Sequence, residues 1–508
     1  MFGFCIVGVV FSLHIEKTAA KDSAVRTAVS RKPTTPQLPK AKRQLSLLDA
    51  LISALNYNLK LFVSRSDEQI AKEELTRSKL SFFPDVRVQM NAGISKNNTH
   101  SWQRNTLNGN VAAVDSEMRP RESSIGIYVT QNLFNGFSST NTMEAADFNA
   151  QSRAQKLRQD EQDLLIQVIE AYLEIWCCRR KVNAYIKREE NIHKFFVART
   201  SSYEVGTGTQ VEIAEAHSKH QTAVSERINA ETELISAESK FVFLTGISAV
   251  GDVELPVLNA QLPDNLETVI AIAKASSPAI ISSRLAEEAA LKKLSAVRGS
   301  LAPSCDLKLH AERRIHQLKN NDRNGDDYKK SFEASLQVTV PIFSNDGHGN
   351  TYSAIEIANQ EALRARFLAE NAIAEAINTC VVNWRTHISA DARIQSSQAA
   401  VDSADKSSKA NLEEEAVGLK SNTEIWANEN TLMEAKVSLY KAQIEKIIAY
   451  AKLQALMGRL TLRDLKTSLH IGNNPTKSAA SAAHRKISVT ANMVPVPPKS
   501  HSSAAAKK

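Results

Sequence analysis

Two kinds of hydrophobic pattern alternate along this chain. In four segments apolar and polar residues alternate one by one, which is the period of a β-strand with one apolar and one polar face. Between these segments, apolar residues recur every three or four positions over long stretches, which is the period of an amphipathic helix. The pattern predicts a mostly helical protein with four strands, at about 85–94, 123–134, 305–316 and 332–343.

The two faces of these strands have two possible explanations. They suit the wall of a water-filled barrel embedded in lipid, and they also suit a sandwich of sheets that is half exposed to water. The segments that separate the paired strands, 95–122 and 313–330, are polar and charged. We therefore expect solvated hairpin loops there.

The helical stretches are unusually long. From 136 to about 203 no proline or internal glycine interrupts the pattern, and the stretch from 349 to about 417 is similar. A helix of this length spans on the order of 100 Å, which suits a tube, a stalk or a fibre. Shorter helices at about 210–245 and 423–457 are expected to pack back antiparallel on the long ones. The first long stretch carries a coiled-coil stripe of Leu157, Leu164, Val168, Ala171, Ile175, Cys178 and Val182.

The body of the sequence repeats itself once. Glu212-Ile213 matches Glu424-Ile425 at a spacing of 212 residues, and Leu244-Thr245-Gly246 matches Leu456-Met457-Gly458 at the same spacing. Each copy is predicted to contain a helix, two strands, a very long helix, a tight turn and a long helix. This places a first repeat at 44–250 and a second at 251–466.

The two ends of the chain differ from this body. Residues 1–20 contain a short apolar stretch and are predicted to be a signal peptide. The signal peptide is atypical because no Lys or Arg precedes that stretch. Residues 21–43 are predicted to be a basic linker and 467–508 a disordered basic tail. These ends carry a net charge of +12, more than the +8 of the whole chain, so the body is mildly acidic at −4. Nucleic-acid binding is therefore not expected.

Four short motifs stand in a fixed order on these elements. They are Val-Thr-Gln-Asn-Leu-Phe-Asn-Gly at 129–136, Tyr-Glu-Val-Gly-Thr-Gly-Thr at 203–209, Val-Thr-Val-Pro-Ile-Phe at 338–343 and Leu-Met-Gly-Arg-Leu-Thr at 456–461. In this order, on two repeats with helices of this length, they make the region 44–466 resemble the TolC family. That family consists of trimeric outer-membrane channels of efflux and type I secretion systems.

The resemblance implies a homotrimer in the outer membrane of a Gram-negative bacterium, with most of the helical mass in the periplasm. Each subunit would give four strands to a shared β-barrel and long antiparallel coiled-coil helices to a periplasmic tunnel. The protein would be a passive export channel, with a periplasmic adaptor protein and an inner-membrane transporter as partners. Outer-membrane lipid would surround it, and an exported substrate would pass through it.

The turns after the two long helices would form the periplasmic tip that gates such a channel. The candidate residues are Gly206, Gly208, Glu212, Glu415, Gly418, Lys420 and Glu424. The resemblance matches Lys420 to a basic gate residue and Glu415 to a gate tyrosine. A contact between these two residues is therefore a candidate replacement for the usual link.

Two roles remain open for Glu212 and Glu424, which stand where relatives commonly carry aspartate. In a symmetric trimer each carboxylate would form a ring that focuses a negative potential in a narrow mouth. Each also lies near the start of a helix, where the helix dipole favours a carboxylate.

Three prolines lie where helix and strand are predicted to meet. Proline lacks a backbone donor and restrains the residue before it, which suits a change from helix to strand. Pro84, Pro303 and Pro341 are therefore predicted to mark the helix-to-barrel transition.

The sequence has no pattern of catalytic or metal-binding residues. The twelve histidines are scattered without metal-ligand spacing, and the five cysteines form no C-x-x-C pair. We therefore predict no enzyme activity, no cofactor and no metal site. The alternative to a channel is a structural coiled-coil scaffold, which the four strands at matched places in two repeats disfavour.

Overall fold

The computed structural model describes residues 46–94, 97–104, 111–118, 121–248, 251, 253–256, 262–320, 323–342, 351–416 and 422–465. The helices of the first repeat are α1 (Leu47–Tyr57), α2 (Leu59–Leu80), α3 (Ser138–Glu204) and α4 (Gln210–Thr245). Those of the second are α5 (Leu266–Ser276), α6 (Pro278–Gly299), α7 (Thr351–Ala416) and α8 (Asn422–Leu456). The strands are β1 (Asp85–Ile94), β2 (Asn97–Arg104), β3 (Val111–Met118), β4 (Arg121–Asn135), β5 (Ser304–Asn320) and β6 (Arg323–Thr339).

The two long helices α3 and α7 contain 67 and 66 residues. The side of α3 that was predicted as a coiled-coil stripe is buried at Leu164, Val168, Ala171, Ile175 and Val182. All of these residues except Val182 form part of the largest core cluster, where α3 meets α1, α4 and α8. A long helix therefore keeps one apolar side against its neighbours while its other sides carry polar residues.

Charged side chains join α3 to its antiparallel partner α4. These pairs include Lys181–Glu233 at 2.6 Å, Lys240–Glu174 at 2.8 Å and Arg179–Glu238 at 3.0 Å, together with Arg188–Glu226 and Arg227–Glu189. The second hairpin has the same kind of link, with Arg393–Glu445 at 2.6 Å between α7 and α8. Exposed pairs of this kind contribute ~0–1 kcal/mol each, so they fix the relative position of the helices more than their stability.

Four strands form one antiparallel sheet in the order β1-β4-β5-β6, and β2 and β3 form a separate antiparallel pair. In the main sheet Val86 lies opposite Val129, which lies opposite Leu309, which lies opposite Ala334. Residues directly opposite each other in antiparallel strands point to the same side of a sheet. The strands from the two repeats therefore share one continuous apolar side.

Both predicted hairpin loops contain strand structure instead. The segment 95–122 holds β2 and β3, while β5 continues to Asn320 and β6 begins at Arg323, so the prediction of loops was wrong. The sequence of these segments lacks the regular alternation of apolar and polar residues by which the other strands were predicted. Backbone groups still need partners, and pairing with a neighbouring strand supplies them without an apolar face.

Among the described residues, no single helix is both long and apolar enough to cross a membrane. The bent pair Leu266–Ser276 and Pro278–Gly299, at 43° to each other, meets that test only when both helices are taken together.

Candidate functional site: the helical turn and the two-faced sheet

The turn between α3 and α4 is short and internally hydrogen-bonded. The carbonyl oxygen of Ser202 accepts the backbone N–H of Thr207 at 2.9 Å and that of Gly208 at 3.1 Å. Gly206 has a φ of 82°, a left-handed conformation that favours glycine. A Cβ at Gly208 would lie 3.1 Å from the backbone nitrogen of Tyr203, so both glycines suit this tight reversal.

Glu212 takes part in a capping box at the start of α4. The Thr209 hydroxyl oxygen accepts the backbone N–H of Glu212 at 3.3 Å, and the Glu212 carboxylate accepts the backbone N–H of Thr209 at 3.0 Å. These two bonds satisfy donors that a helix start otherwise leaves without partners. Of the two roles left open by the sequence, helix capping therefore has a direct geometric basis for Glu212.

The start of α8 lies against α3 near this first turn. Trp426 is 7 % exposed and meets Phe195 edge to face, with 4.8 Å between the ring centroids. Ile192, Ala216 and Ala223 complete this apolar cluster. The two hairpins are therefore joined close to the turn that the sequence predicted as part of a gate.

The second turn is only partly covered by the structure. Glu415 lies in α7 and Glu424 lies in α8. Gly418 and Lys420 lie outside the described residues. The expected contact between Glu415 and Lys420 therefore stays a prediction.

The three prolines lie beside the ends of the strands. Pro84 directly precedes β1, Pro303 directly precedes β5, and Pro341 follows β6 by two positions. Two glycines, which no local sequence pattern distinguishes, make the closest approach in this region. Gly136 has a φ of 63°, and a Cβ on Gly299 would lie 2.5 Å from the Gly136 carbonyl oxygen. The two backbones meet where α6 ends and α3 begins, and only glycine leaves room for that approach.

The main sheet has one apolar side that is exposed in the single chain. Val88, Ile127, Ala311 and Phe332 lie in one row across all four strands. Val88 is 57 % exposed and Phe332 is 76 % exposed. Large apolar side chains rarely form such an exposed, continuous surface in water, so this side is built for a non-aqueous or protein contact.

The opposite side of the sheet is polar along the same strands. Its rows include Tyr128 and His310, whose rings stack with 4.3 Å between centroids. The Asn132 side-chain amide donates to the Asp306 carboxylate at 2.7 Å, and Glu312 accepts from Arg314 at 3.2 Å. This side therefore carries polar and charged groups that suit contact with water.

The described residues hold no group of three or more His, Cys, Asp or Glu side chains that is arranged to bind a metal ion. Cys177, Cys178, Cys305 and Cys380 are free thiols. Burial raises the pKa of the Cys178 thiol to about 11, and the neighbouring Cys177 adds to that effect. A thiol with so high a pKa is a poor nucleophile at neutral pH because little thiolate is present.

Long antiparallel helices, present in two copies and joined to a sheet with an exposed apolar side, define the architecture of an outer-membrane channel subunit. The family model described as outer membrane efflux protein matches residues 50–246 and 269–459. The chain belongs to this family and is accordingly an outer-membrane efflux channel subunit. The predicted TolC-like fold and outer-membrane location are confirmed.

Individual relatives are distant in sequence. The outer membrane efflux protein BepC of Brucella suis biovar 1 is 24 % identical over 424 residues, which cover 83 % of this chain and 87 % of BepC. The alkaline protease secretion protein AprF of Pseudomonas aeruginosa is 23 % identical over 321 residues, 61 % of this chain and 65 % of AprF. The crystal structure of VceC from Vibrio cholerae matches with a TM-score of 0.65 and 13 % identity, covering 81 % of this chain and 96 % of VceC.

Proposed function

We propose that three copies of this chain assemble into a passive export channel that is gated at the helical turns. The observation that carries the proposal is the main sheet, which is apolar on one side and polar on the other across all four strands. The two long helical hairpins would form the second part of the channel, a tunnel wall that continues away from the sheet.

Lipid is the contact that fits the apolar side. Phe332 and Leu336 of β6 are 76 % and 62 % exposed, and Met90 of β1 is 71 % exposed. Moving each such side chain from water into an apolar environment gains ~1.5–3 kcal/mol. Tyr128, His310 and Glu312 lie on the other side and would face the water-filled interior.

The order of strands explains why more than one copy is needed. β1 and β6 are the edges of the sheet, so each has one row of backbone donors and acceptors without a partner among the described strands. Such groups cannot stay unpaired in contact with lipid. If β1 of one subunit pairs with β6 of the next, three copies form a closed sheet of twelve strands without edges.

The helical turns are the proposed gate and docking end. The names of the relatives connect BepC with efflux and AprF with secretion of alkaline protease. A periplasmic adaptor protein and an inner-membrane transporter are the proposed partners, and they would engage the turns at Gly206–Gly208 and at Gly418. The channel itself needs no cofactor and performs no reaction, since the transporter supplies the energy.

Fractionation of cell envelopes tests this proposal. The full-length protein is expressed with export machinery intact, the envelopes are separated on a sucrose gradient, and the fractions are washed with carbonate. We expect recovery with the outer membrane and resistance to the wash, because the apolar side of the sheet is in lipid. Recovery in the soluble fraction would contradict the channel and favour the coiled-coil scaffold.

A further inference from the structure

Two cations lie directly opposite each other on the apolar side of the main sheet. Arg313 of β5 faces Lys330 of β6, and the same row continues through Ile125 to Met90. Both basic residues are exposed. No carboxylate of the described residues forms an ion pair with either of them. Like charges in directly opposed positions destabilise a sheet, so this arrangement suits the binding of an anion.

The height of this pair in the sheet indicates where that anion would lie. Along β5 the apolar side begins at Cys305 and continues through Leu307, Leu309 and Ala311 before it reaches Arg313. At ~3.3 Å per residue, Arg313 is about 26 Å along the strand from Cys305. The apolar band of an outer-membrane protein is about 25 Å tall, and its strands are tilted. At a tilt of ~35–45° the strand rises about 20 Å over this length, so the pair lies near the far end of this band.

The surroundings of the pair also fit a membrane surface. The helices join the sheet at the opposite ends of these strands, so the pair is on the side away from the helical body. Tyr328, one row further out on the same side, is 65 % exposed. Aromatic residues with a polar tip are enriched at the boundary between lipid tails and headgroups.

We propose that Arg313 and Lys330 of each subunit bind the phosphate group of an anionic lipid headgroup in the outer leaflet. This inference rests on the proposed function, because it requires the apolar side to face lipid. The planar guanidinium of Arg313 can donate two parallel hydrogen bonds to one phosphate, while Lys330 adds a point charge beside it. The phosphate would neutralise two like charges that have no other partner in the described chain.

The chain supplies a matched control one residue away. Arg314 and Lys329 also face each other across β5 and β6, but they lie on the polar side of the sheet. Arg314 contacts Glu312 at 3.2 Å on that side. The variants Arg313→Gln/Lys330→Gln and Arg314→Gln/Lys329→Gln remove the same two charges from the same two strands, on opposite sides.

Native mass spectrometry of the detergent-solubilised oligomer tests the proposal. Each protein is titrated with diphosphorylated lipid A and, separately, with phosphatidylcholine, and the apparent Kd of each lipid is compared. We expect wild type to prefer lipid A by roughly 30-fold, the factor that two cations near anionic headgroups supply. Arg313→Gln/Lys330→Gln should lose this preference, and Arg314→Gln/Lys329→Gln should keep it.

Three outcomes would overturn the inference: no lipid A preference in wild type, full preference in Arg313→Gln/Lys330→Gln, or an equal loss in the control variant. The mass of the intact assembly in the same spectra shows whether each variant has assembled. Outer-membrane recovery of wild type in the envelope fractionation keeps the two proposals separable. If wild type is recovered there but Arg313→Gln/Lys330→Gln binds lipid A normally, only the phosphate site is wrong.

Discussion

At the scale of single residues, the tightest constraint in the described structure comes from Gly136 and Gly299. A proline that stands between a helical pattern and an alternating pattern is visible in the sequence. Pro84, Pro303 and Pro341 were predicted on that basis. The approach of Gly299 to Gly136 depends on how α6 meets α3, and no local pattern contains that information. A sequence alone therefore cannot distinguish these two glycines from those in solvated turns.

We predict that Gly299→Ala destabilises the protein by ~1–3 kcal/mol, since an added methyl group must displace packed backbone. Its Cβ would lie 2.5 Å from the Gly136 carbonyl oxygen and 3.2 Å from the Ser138 nitrogen. Gly93→Ala is the control, because a Cβ there meets nothing within 4 Å. Thermal unfolding of the purified proteins should show a lower Tm for Gly299→Ala alone. Equal Tm values for all three proteins would contradict the predicted close contact.

Glu212 allows its two possible roles to be separated by substitution. Thr209→Ala removes half of the capping box and keeps the carboxylate, at a cost of ~1 kcal/mol in local helix stability. Glu212→Gln keeps an acceptor for the Thr209 N–H but removes the charge. We expect Thr209→Ala to speed backbone hydrogen exchange at the start of α4. It should not change how strongly added cations block the current through the channel.

The double variant Glu212→Gln/Glu424→Gln removes both charges. If the carboxylates form rings at the channel mouth, cations added in single-channel recordings should block the current of this variant less strongly. Unchanged cation block and resting conductance in this double variant would leave capping as the role of Glu212. The capping box could be anticipated from Thr209 and Glu212 in sequence, whereas a ring requires the neighbouring subunits.

At the scale of elements, hydrophobic periodicity predicted those structures that have an apolar side. It placed α3 and α4 within two residues of their observed ends and the first strand at its observed bounds. It missed β2 and β3, whose residues Asn97–Arg104 and Val111–Met118 show no regular apolar row. Alternation reveals which side of a strand is buried or in lipid, and a strand whose sequence does not alternate carries no such signal.

Helix α4 packs against its partner through a seam of small residues. Ala216, Ala223, Ala230 and Ala237 recur every seven residues and are each at most 3 % exposed. We predict that Ala223→Leu destabilises the protein by ~1–3 kcal/mol, because the larger side chain overpacks the contact with Ile192 and Phe195. Ala214→Leu, at an exposed position of the same helix, should have little effect. Comparable losses of Tm in both variants would show that helix packing is not the cause.

At the scale of the whole molecule, the single chain leaves open how its sheet is completed. The order β1-β4-β5-β6 was not accessible from periodicity, because periodicity does not say which strands are neighbours. Once that order is known, β1 and β6 are three strand spacings apart in one chain, about 14 Å. Two cysteines can form a disulfide only when their Cα atoms are within ~7 Å, so a bond between these strands has to join two subunits.

We therefore predict disulfide cross-links between subunits from one cysteine in β1 and one in β6. Gln89→Cys would be combined in turn with Ser331→Cys, Glu333→Cys or Ser335→Cys, all on the polar side, after the five native cysteines are replaced by serine. Mild oxidation in membranes should convert at least one of these pairs to dimers and closed trimers on non-reducing gels. Each single-cysteine parent should give no trimer, because one cysteine per chain can join only two chains.

If every pair stayed monomeric while the protein remained in the outer membrane, β1 and β6 would not be neighbours across subunits. The three-copy closed sheet would then be wrong even though the family assignment stands.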